Sequence, residues 1–127
     1  MQERHLYEYA VIRIVPRIER EEFINVGVIL YCPKQKFLGT RITFNAQRLQ
    51  ALCPLTDTEL VKIHLDAFEQ IANGVAVHSP IARLDIASRF RWLAATRSTI
   101  IQTSKVHSGL CLQAQATLDQ LHEQLIL

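Results

Sequence analysis

Hydrophobic residues occupy both alternating faces of the first predicted strand. Segment 6–16, LYEYAVIRIVP, is rich in Tyr, Val and Ile on both faces, a pattern typical of a central strand covered on two sides. Pro16 lacks an N–H group and ends that strand. Segment 26–32, VGVILYC, repeats the pattern, and segment 37–44, FLGTRITF, adds the polar residues expected nearer an edge. The turn-forming segment 33–36 between them predicts a hairpin.

After the third strand the hydrophobic spacing lengthens to that of helices. Segment 46–52 predicts a short helix and segment 56–74 a long one, in which Thr56 and Glu59 have the spacing of a capping box. The Asn-Gly pair at 73–74 is typical of a helix end. One apolar stripe is expected to face the core, and it comprises Val61, Leu65, Phe68, Ala72 and Val75.

The remaining third of the chain predicts two helices, a strand and a loop. Segment 84–96 predicts a helix with Asp85 as its N-cap, and segment 98–104 predicts a fourth strand. Segment 105–110 is expected to be a loop, and segment 112–127 a terminal helix. The residues expected to face the core are Ile86, Phe90 and Leu93 in the first helix, and Ala114, Leu118, Leu121 and Leu125 in the second.

The order of elements, βββααβα, lacks the regular alternation of strand and helix that makes a parallel sheet. It predicts an α+β fold, a mostly antiparallel sheet of about four strands with helices packed on it. The 127 residues are 49% hydrophobic and 20% charged, which suits a single globular domain over residues 1–127. The pattern leaves open whether the first strand pairs with the fourth.

Composition and motifs argue against several classes of protein. Cys32, Cys53 and Cys111 form no CxxC pair, which favours reduced thiols over a zinc site or a disulfide framework. The N-terminus is charged and then alternating, unlike a signal peptide, and no apolar run reaches the ~20 residues of a membrane span. We therefore expect a cytoplasmic protein that makes no membrane contact. No metal or cofactor is expected, since GxGxxG, Walker and HExxH motifs are absent.

Polar residues crowd the start of the second strand, in the stretch REEFINVGVILY. Arg20, Glu22 and Asn25 would form a site if the arginine held an anion and the glutamate acted as a base. Alternatively, the two charged residues form an internal ion pair and the Asn25 side chain closes a turn. Gly27 then provides a place for close backbone approach inside the strand.

A second polar run lies where the third predicted helix meets the fourth strand. Arg97, Ser98 and Thr99, followed by Gln102, are suited to cradle a phosphate or carboxylate. Alternatively, the two hydroxyl residues are ordinary loop and strand residues, and Arg97 pairs with Glu22. A cavity beside these residues would favour the ligand site, whereas a full pairing of Arg97 with Glu22 and no cavity would exclude it.

His107 and Cys111 stand four residues apart. In a helix they would touch, as a nucleophile pair or as two metal ligands. Gly109 lies between them and no third ligand is near in the sequence, which favours a lone loop histidine.

Region 83–105 is the most basic part of the chain, with five basic residues, one acidic residue and Trp92. Such a region is compatible with weak nucleic-acid binding by stacking on the indole. The competing interpretation is that Trp92 packs in the core, and a sequence pI near 8.6 is low for a nucleic-acid binder.

Two stretches resemble the DUF3037 family of small bacterial proteins of unknown function. The first has a strand, a proline and then Arg20, Glu22, Asn25, Val26, Gly27 and Val28. The second has Arg89, Phe90, Trp92 and Leu93, then Arg97, Ser98 and Thr99, and then His107 and Gly109. The resemblance implies no reaction. It does imply a partner role, because members are often encoded beside a kinase-like protein of the toxin–antitoxin type.

The leading functional hypothesis is therefore an interaction or accessory protein that binds a partner protein, of which a kinase-like protein is one candidate. The exposed part of the sheet and the connection 17–25 would form its recognition surface. The alternative is a ligand-binding or enzymatic domain for an anionic, phosphate-bearing substrate, with Arg20 and Arg97 clamping the anion and His107 as acid or base. Weak nucleic-acid binding through 83–105 is the third hypothesis.

Overall fold

The sheet is antiparallel throughout and is built around the first predicted strand. The computed structural model describes residues 3–75, 79–97 and 99–127. Within these ranges the strands are β1 (His5–Ile14), β2 (Ile24–Cys32), β3 (Phe37–Ile42), β4 (Ile101–Thr103) and β5 (His107–Cys111). The strand β1 pairs with β2 on one side and with both β4 and β5 on the other, and β3 pairs with β2. The first strand does therefore meet the fourth.

Helices lie on both faces of this sheet. In the described residues they are α1 (Ala46–Leu52), α2 (Thr58–Ala72), α3 (Ile86–Leu93) and α4 (Ala114–Leu125), with single 3-10 turns at Ile18–Arg20 and Ile81–Arg83. The predicted α+β fold is confirmed, with five strands where about four were expected. None of the helices in these ranges has the length and apolarity needed to cross a lipid bilayer.

The three helices α1, α2 and α3 cover one face, which we call the closed face. Ala10, Ile12 and Ile14 of β1 are buried there against Phe90 of α3 and residues of α1 and α2. The predicted α2 stripe is confirmed from Val61 to Ala72. Val75 is exposed, because the helix ends at Ala72 with Asn73 as its C-cap, and Gly74 has a positive φ of 72°.

Two helix starts can be compared with their predicted caps. Asp85 caps α3 as predicted, and its carboxylate accepts the Ser88 N–H at 2.7 Å. The capping box at Thr56 is wrong, because Asp57 is the N-cap of α2 and accepts the Leu60 N–H at 3.1 Å. The hydroxyl oxygen of Thr56 is buried and makes no hydrogen bond to the described residues.

The helix α3 and the strand β4 are both shorter than predicted, so the junction between them is longer. The helix ends at Leu93 rather than at residue 96, and the strand begins at Ile101 rather than at residue 98. Local hydrogen bonds explain the late start, since the Thr99 hydroxyl donates to the Ile101 carbonyl and the Gln102 amide donates to the Thr99 carbonyl.

The predicted loop 105–110 is wrong, because most of it belongs to β5. Glycine and serine in this segment read as turn residues, but Gly109 serves close packing: a Cβ there would lie 2.6 Å from the Tyr7 hydroxyl oxygen. Ser104 bridges the break between β4 and β5. Its hydroxyl accepts the Val11 N–H at 2.8 Å, and its own N–H donates to the Val11 carbonyl at 2.8 Å.

The helix α4 alone packs on the opposite face, and it contacts mainly β2 and β3. Its buried stripe is Ala114, Leu118, His122 and Ile126. The prediction of Ala114 and Leu118 is confirmed, whereas Leu125 is exposed, because the stripe runs at intervals of four and includes a histidine that a search for apolar residues misses. Leu121 packs partly buried beside the stripe.

Candidate functional site

The connection between β1 and β2 carries two internal ion pairs. Arg20 Nε lies 2.5 Å from Glu22 Oε1, and Arg17 Nε lies 3.0 Å from Glu19 Oε1, with all four side chains exposed. The hydrogen bond from Arg20 and its positive charge lower the pKa of Glu22. A carboxylate held ionised in this way is a poor general base at neutral pH. The predicted internal pair is confirmed for Arg20 and Glu22.

Arg20 and Glu22 line a cavity of about 470 Å³ together with Cys53 and Leu55. The cavity lies beside α1, because Leu52 at the end of that helix forms part of its wall. It contains neither Arg97 nor His107 among its lining residues.

Arg97 and Thr99 line a different cavity of about 490 Å³, between α2 and the α3–β4 junction. The Arg97 guanidinium lies 4.3 Å from the centre of the Trp92 ring, and it also donates to the Trp92 carbonyl oxygen. Arg97 therefore does not pair with Glu22. Ser98, the third residue of the predicted run, lies outside the described residues.

Asn25 lies within β2, where it stands opposite Arg13 of β1. A bulge at this point shifts the register, since Ile12 stands opposite Gly27. The predicted turn closure by Asn25 is wrong: its Oδ1 is buried and accepts no hydrogen bond from the described residues. Gly27 does allow close approach, because a Cβ would lie 2.8 Å from the Arg41 carbonyl oxygen.

His107 begins β5 opposite Tyr9, and the two rings are 5.3 Å apart. The extended strand separates the Cα atoms of His107 and Cys111 by about 13 Å, so the contact that a helix would have allowed is absent. His107 lies in a strand and not in the predicted loop. Cys111 is buried instead near Cys32, and burial, followed by the neighbouring Cys32, raises the pKa of its thiol. Among the described residues no group of three His, Cys, Asp or Glu side chains is placed to hold a metal ion.

The predicted residues thus fall into three places. Arg20 and Glu22 share one cavity, Arg97 and Thr99 share another, and Asn25 and His107 lie on the sheet face that carries α4. The convergence of these residues on one pocket, which a single anion site would require, is not found in the described residues.

The sheet face that carries α4 is only half covered. The helix contacts mainly β2 and β3, and Val11 of β1 and Cys111 of β5 are buried in the cluster that it covers. The rest of this face on β1, β4 and β5 keeps partly exposed aromatic and polar side chains. We call this part the open half-sheet. It consists of Tyr7, Tyr9 and Arg13 of β1, Gln102 of β4 and His107 of β5, and it includes Asn25 at the start of β2, opposite Arg13, with Phe23 beside it.

Arg13 is the most distinctive residue of the open half-sheet. Its guanidinium carbon lies 4.1 Å from the centre of the exposed Phe23 ring, a cation–π contact that holds the side chain in place. It forms no ion pair and no hydrogen bond with the described residues, and its Nε is buried without a partner. Its neighbour Asn25 likewise leaves Oδ1 without a donor. Unpaired buried polar atoms are uncommon in proteins and call for an explanation.

Sequence reasoning missed Tyr7, Tyr9, Arg13 and Phe23 as candidates. The available signal was the alternation in β1, where Tyr7, Tyr9 and Arg13 share one face while Ala10 and Ile12 share the other. That face was interpreted as apolar because of its middle residue, Val11. An aromatic and cationic face differs from the aliphatic face of a fully buried strand.

Most of the basic side chains of region 83–105 have partners within the chain. Both Nη atoms of Arg91 lie 3.0 Å from the Glu8 carboxylate oxygens, and Arg89 donates to the Leu84 carbonyl at 2.6 Å. Trp92 is partly exposed at the second cavity, with Arg97 over its ring. Little of the cationic charge here is therefore arranged to follow a phosphate backbone.

Comparison with known proteins assigns the family and goes no further. The chain belongs to the DUF3037 family. The family model matches residues 9–126, nearly the whole chain, and describes a protein of unknown function. No curated protein and no solved structure matches the chain. The predicted family membership is confirmed.

Proposed function

We propose that this DUF3037 protein binds a partner protein through the open half-sheet and the adjoining connection 17–25. The observation that carries the proposal is the incomplete cover of one sheet face by α4, which leaves Tyr9, Arg13 and His107 accessible beside the core. Tyr and Arg side chains supply much of the binding energy at protein interfaces. A rigid central strand also presents them with little loss of entropy on binding.

The unpaired atoms of Arg13 and Asn25 support the same proposal. A carboxylate of the partner would pair with the guanidinium that Phe23 already holds in place, and a donor of the partner would satisfy Asn25 Oδ1. Charge-assisted bonds of this kind are stronger than bonds between neutral groups. A kinase-like protein of the toxin–antitoxin type is the first partner class to test, as the family resemblance suggests.

The test is quantitative co-purification from an extract of the native cells with tagged protein. Three forms are compared: the native chain, Arg13→Gln, and the charge-matched control Arg48→Gln. Arg48 is exposed on α1, which packs on the closed side of the sheet. Circular dichroism establishes that both variants are folded.

We expect one protein to be recovered in near-equal amount with the native chain and with Arg48→Gln, and at least about tenfold less with Arg13→Gln, because a charge-assisted bond contributes roughly 1.5–3 kcal/mol. The purified partner then binds directly with the same ranking. Equal recovery with both variants would place the interface elsewhere, and recovery of no partner at all would contradict the proposal.

Two further expectations stay predictions. An anionic ligand clamped by Arg20 and Arg97 has less support, because the two side chains line separate cavities. Thermal stabilisation by inorganic phosphate that Arg20→Gln abolishes would revive it. Nucleic-acid binding through 83–105 requires an affinity that falls steeply with salt concentration, and a flat response excludes it.

A further inference from the structure

The outer edge of β5 is open, and the hydrogen bonds of Val11 show which groups face outward. Val11 directs both its N–H and its C=O toward Ser104, away from β2. Because these directions alternate along a strand, Tyr9 and Tyr7 also direct their groups toward β5. Their partners are His107 and Gly109.

The two residues of β5 that alternate with His107, Gly109 and Cys111 must therefore direct their main-chain groups away from the sheet. These residues are Ser108 and Leu110, and their outward N–H and C=O groups make no hydrogen bond to the described residues.

This edge lacks the features that normally prevent strand addition. Natural edge strands are guarded by charged residues, proline or bulges, whereas segment 106–112, VHSGLCL, contains none of Lys, Arg, Asp, Glu or Pro. The opposite edge of the sheet, β3, carries the charged Arg41 and follows Lys36.

The same edge exposes apolar side chains on one side of the sheet. Leu6 and Leu110 stand opposite each other and are 53% and 61% exposed. Val106 and Leu112 are exposed as well, and they fall at positions that alternate with Ser108 and Leu110 onto the same face. An uncharged edge beside an apolar strip is a surface that buries well against another strand.

We propose that two copies of this chain pair edge to edge through β5, in antiparallel register with Gly109 at the two-fold axis. This register places Ser108 opposite Leu110 of the second copy, and by symmetry Leu110 opposite Ser108, so that all four outward groups of each strand are paired. Gly109 meets its own copy at a close, non-hydrogen-bonded position, where the absence of side chains allows approach.

The side chains agree with this register. Val106 would stand opposite Leu112 of the second copy at both ends of the paired segment, and both residues are exposed in the single chain. Lys105 would stand opposite Gln113, so no like charges are opposed. An interface that repeats the same patch on both subunits is the commonest kind in homodimers.

The dimer would join the two sheets into one. A two-fold axis perpendicular to the sheet keeps both open half-sheets on the same side, so partner binding remains sterically possible. The dimer does not rest on the proposed function, and a monomeric chain would leave that function standing.

Sedimentation equilibrium over micromolar to millimolar protein concentrations tests the dimer. The variant Ser108→Pro removes only an outward N–H, and proline is tolerated at such edge positions. Its matched control is Ser108→Ala, which keeps the N–H group. The second variant, Leu110→Lys, places a charge in the exposed strip.

We expect the native chain and Ser108→Ala to approach twice the monomer mass as concentration rises. Ser108→Pro should weaken dimerisation at least about tenfold, since symmetry removes two main-chain hydrogen bonds worth roughly 1 kcal/mol each. Leu110→Lys should weaken it as well, and it keeps the test decisive if the proline variant is unfolded. A native chain that stays monomeric, or a dimer that both folded variants retain, would overturn the proposal.

Discussion

The two faces of the sheet are formed by the same strands, but helices cover them to different extents. Three helices close one face, where Ile12, Ile14 and Phe90 are fully buried. One helix, α4, covers the other face over β2 and β3 and leaves the open half-sheet beside it. The closed face holds the larger of two buried hydrophobic clusters, and α4 covers the smaller one. The open half-sheet beside that smaller cluster offers rigid, partly exposed Tyr, His and Arg side chains.

The difference also separates two kinds of arginine. On the closed side Arg91 is paired in a two-point contact with Glu8, and on the connection Arg20 is paired with Glu22. On the open half-sheet the Arg13 guanidinium lies over the Phe23 ring and pairs with no carboxylate of the described residues. Arg13 differs from the other arginines in the combination of a cation–π contact, a buried Nε without a partner among the described residues and a place on the open half-sheet. The presence of a basic residue in a polar cluster is by itself a weaker sign of a binding surface.

The largest expected loss of stability comes from truncating a buried side chain of the closed face. Phe90 is fully buried, and its ring lies 5.4 Å from that of Tyr31. We expect Phe90→Ala to lower the free energy of unfolding by about 3–5 kcal/mol, because it removes a buried aromatic side chain and leaves a cavity. Urea denaturation monitored by circular dichroism measures the loss.

The comparison is made with Tyr9→Ala on the open half-sheet. That side chain is partly exposed, so its removal should cost less than half as much as removal of Phe90. Equal losses from the two variants would mean that the open half-sheet is a core in its own right.

The features of the fold that were predicted correctly are those that depend on the local sequence. The strands β1 and β2 and the helix α2 were predicted because their apolar periods are long and regular. Asp85 was recognised as a cap because it directly precedes its helix. The predicted cap at Thr56 was displaced by its neighbour Asp57, since boundaries one residue apart share the same local sequence.

The missed features depend on contacts between distant parts of the chain. Gly109 reads locally as a loop residue, yet it is required by the Tyr7 side chain across the sheet. His122 is a polar residue that the sequence pattern would place at the surface, yet it is buried in α4 and its Nε2 forms a hydrogen bond with the Thr43 hydroxyl. The separation of Glu22 from Arg97 depends on where the β1–β2 connection and the α3–β4 junction lie in the fold, since each lines a different cavity, and no spacing in the sequence encodes that.

The next largest effect is expected at Ser104, which supplies a hydrogen-bond acceptor to β1 between β4 and β5. The Ser104 hydroxyl is the acceptor for the Val11 N–H at the break between β4 and β5. We expect Ser104→Ala to lower the free energy of unfolding by about 1–3 kcal/mol, the cost of leaving a buried donor unsatisfied. Ser108→Ala, exposed on the neighbouring strand, is the control and should unfold like the native chain. Native-like unfolding of Ser104→Ala would show that water replaces the hydroxyl.

A smaller effect concerns the single helix on the half-covered face and appears as a pH dependence. Burial lowers the pKa of His122, Arg41 lowers it further, and Asp119 opposes them. The unfolded chain therefore binds the proton more readily, so stability is full above the ordinary histidine pKa near 6.5 and falls as the pH drops below it. Urea denaturation at a series of pH values measures this slope.

The control for that slope is His122→Gln, which keeps a side chain able to bond to the Thr43 hydroxyl but has no titrating group. Its stability should vary less between neutral and mildly acidic pH than that of the native chain. Identical slopes would assign the pH dependence to other groups, such as Asp119, whose pKa is lowered by Arg41.

The smallest expected effect is at the polar connection itself. Glu22→Gln breaks the pair with Arg20, but both side chains are exposed and such pairs contribute little. The melting temperature should therefore stay within error of the native value. If the partner contacts Arg13 and not the charged residues of the connection 17–25, Glu22→Gln should recover as much partner as the native chain. Arg13→Gln should then still lose the partner. A loss of recovery with Glu22→Gln alone would move the interface from the open half-sheet to the cavity beside α1, where Arg20 and Glu22 meet.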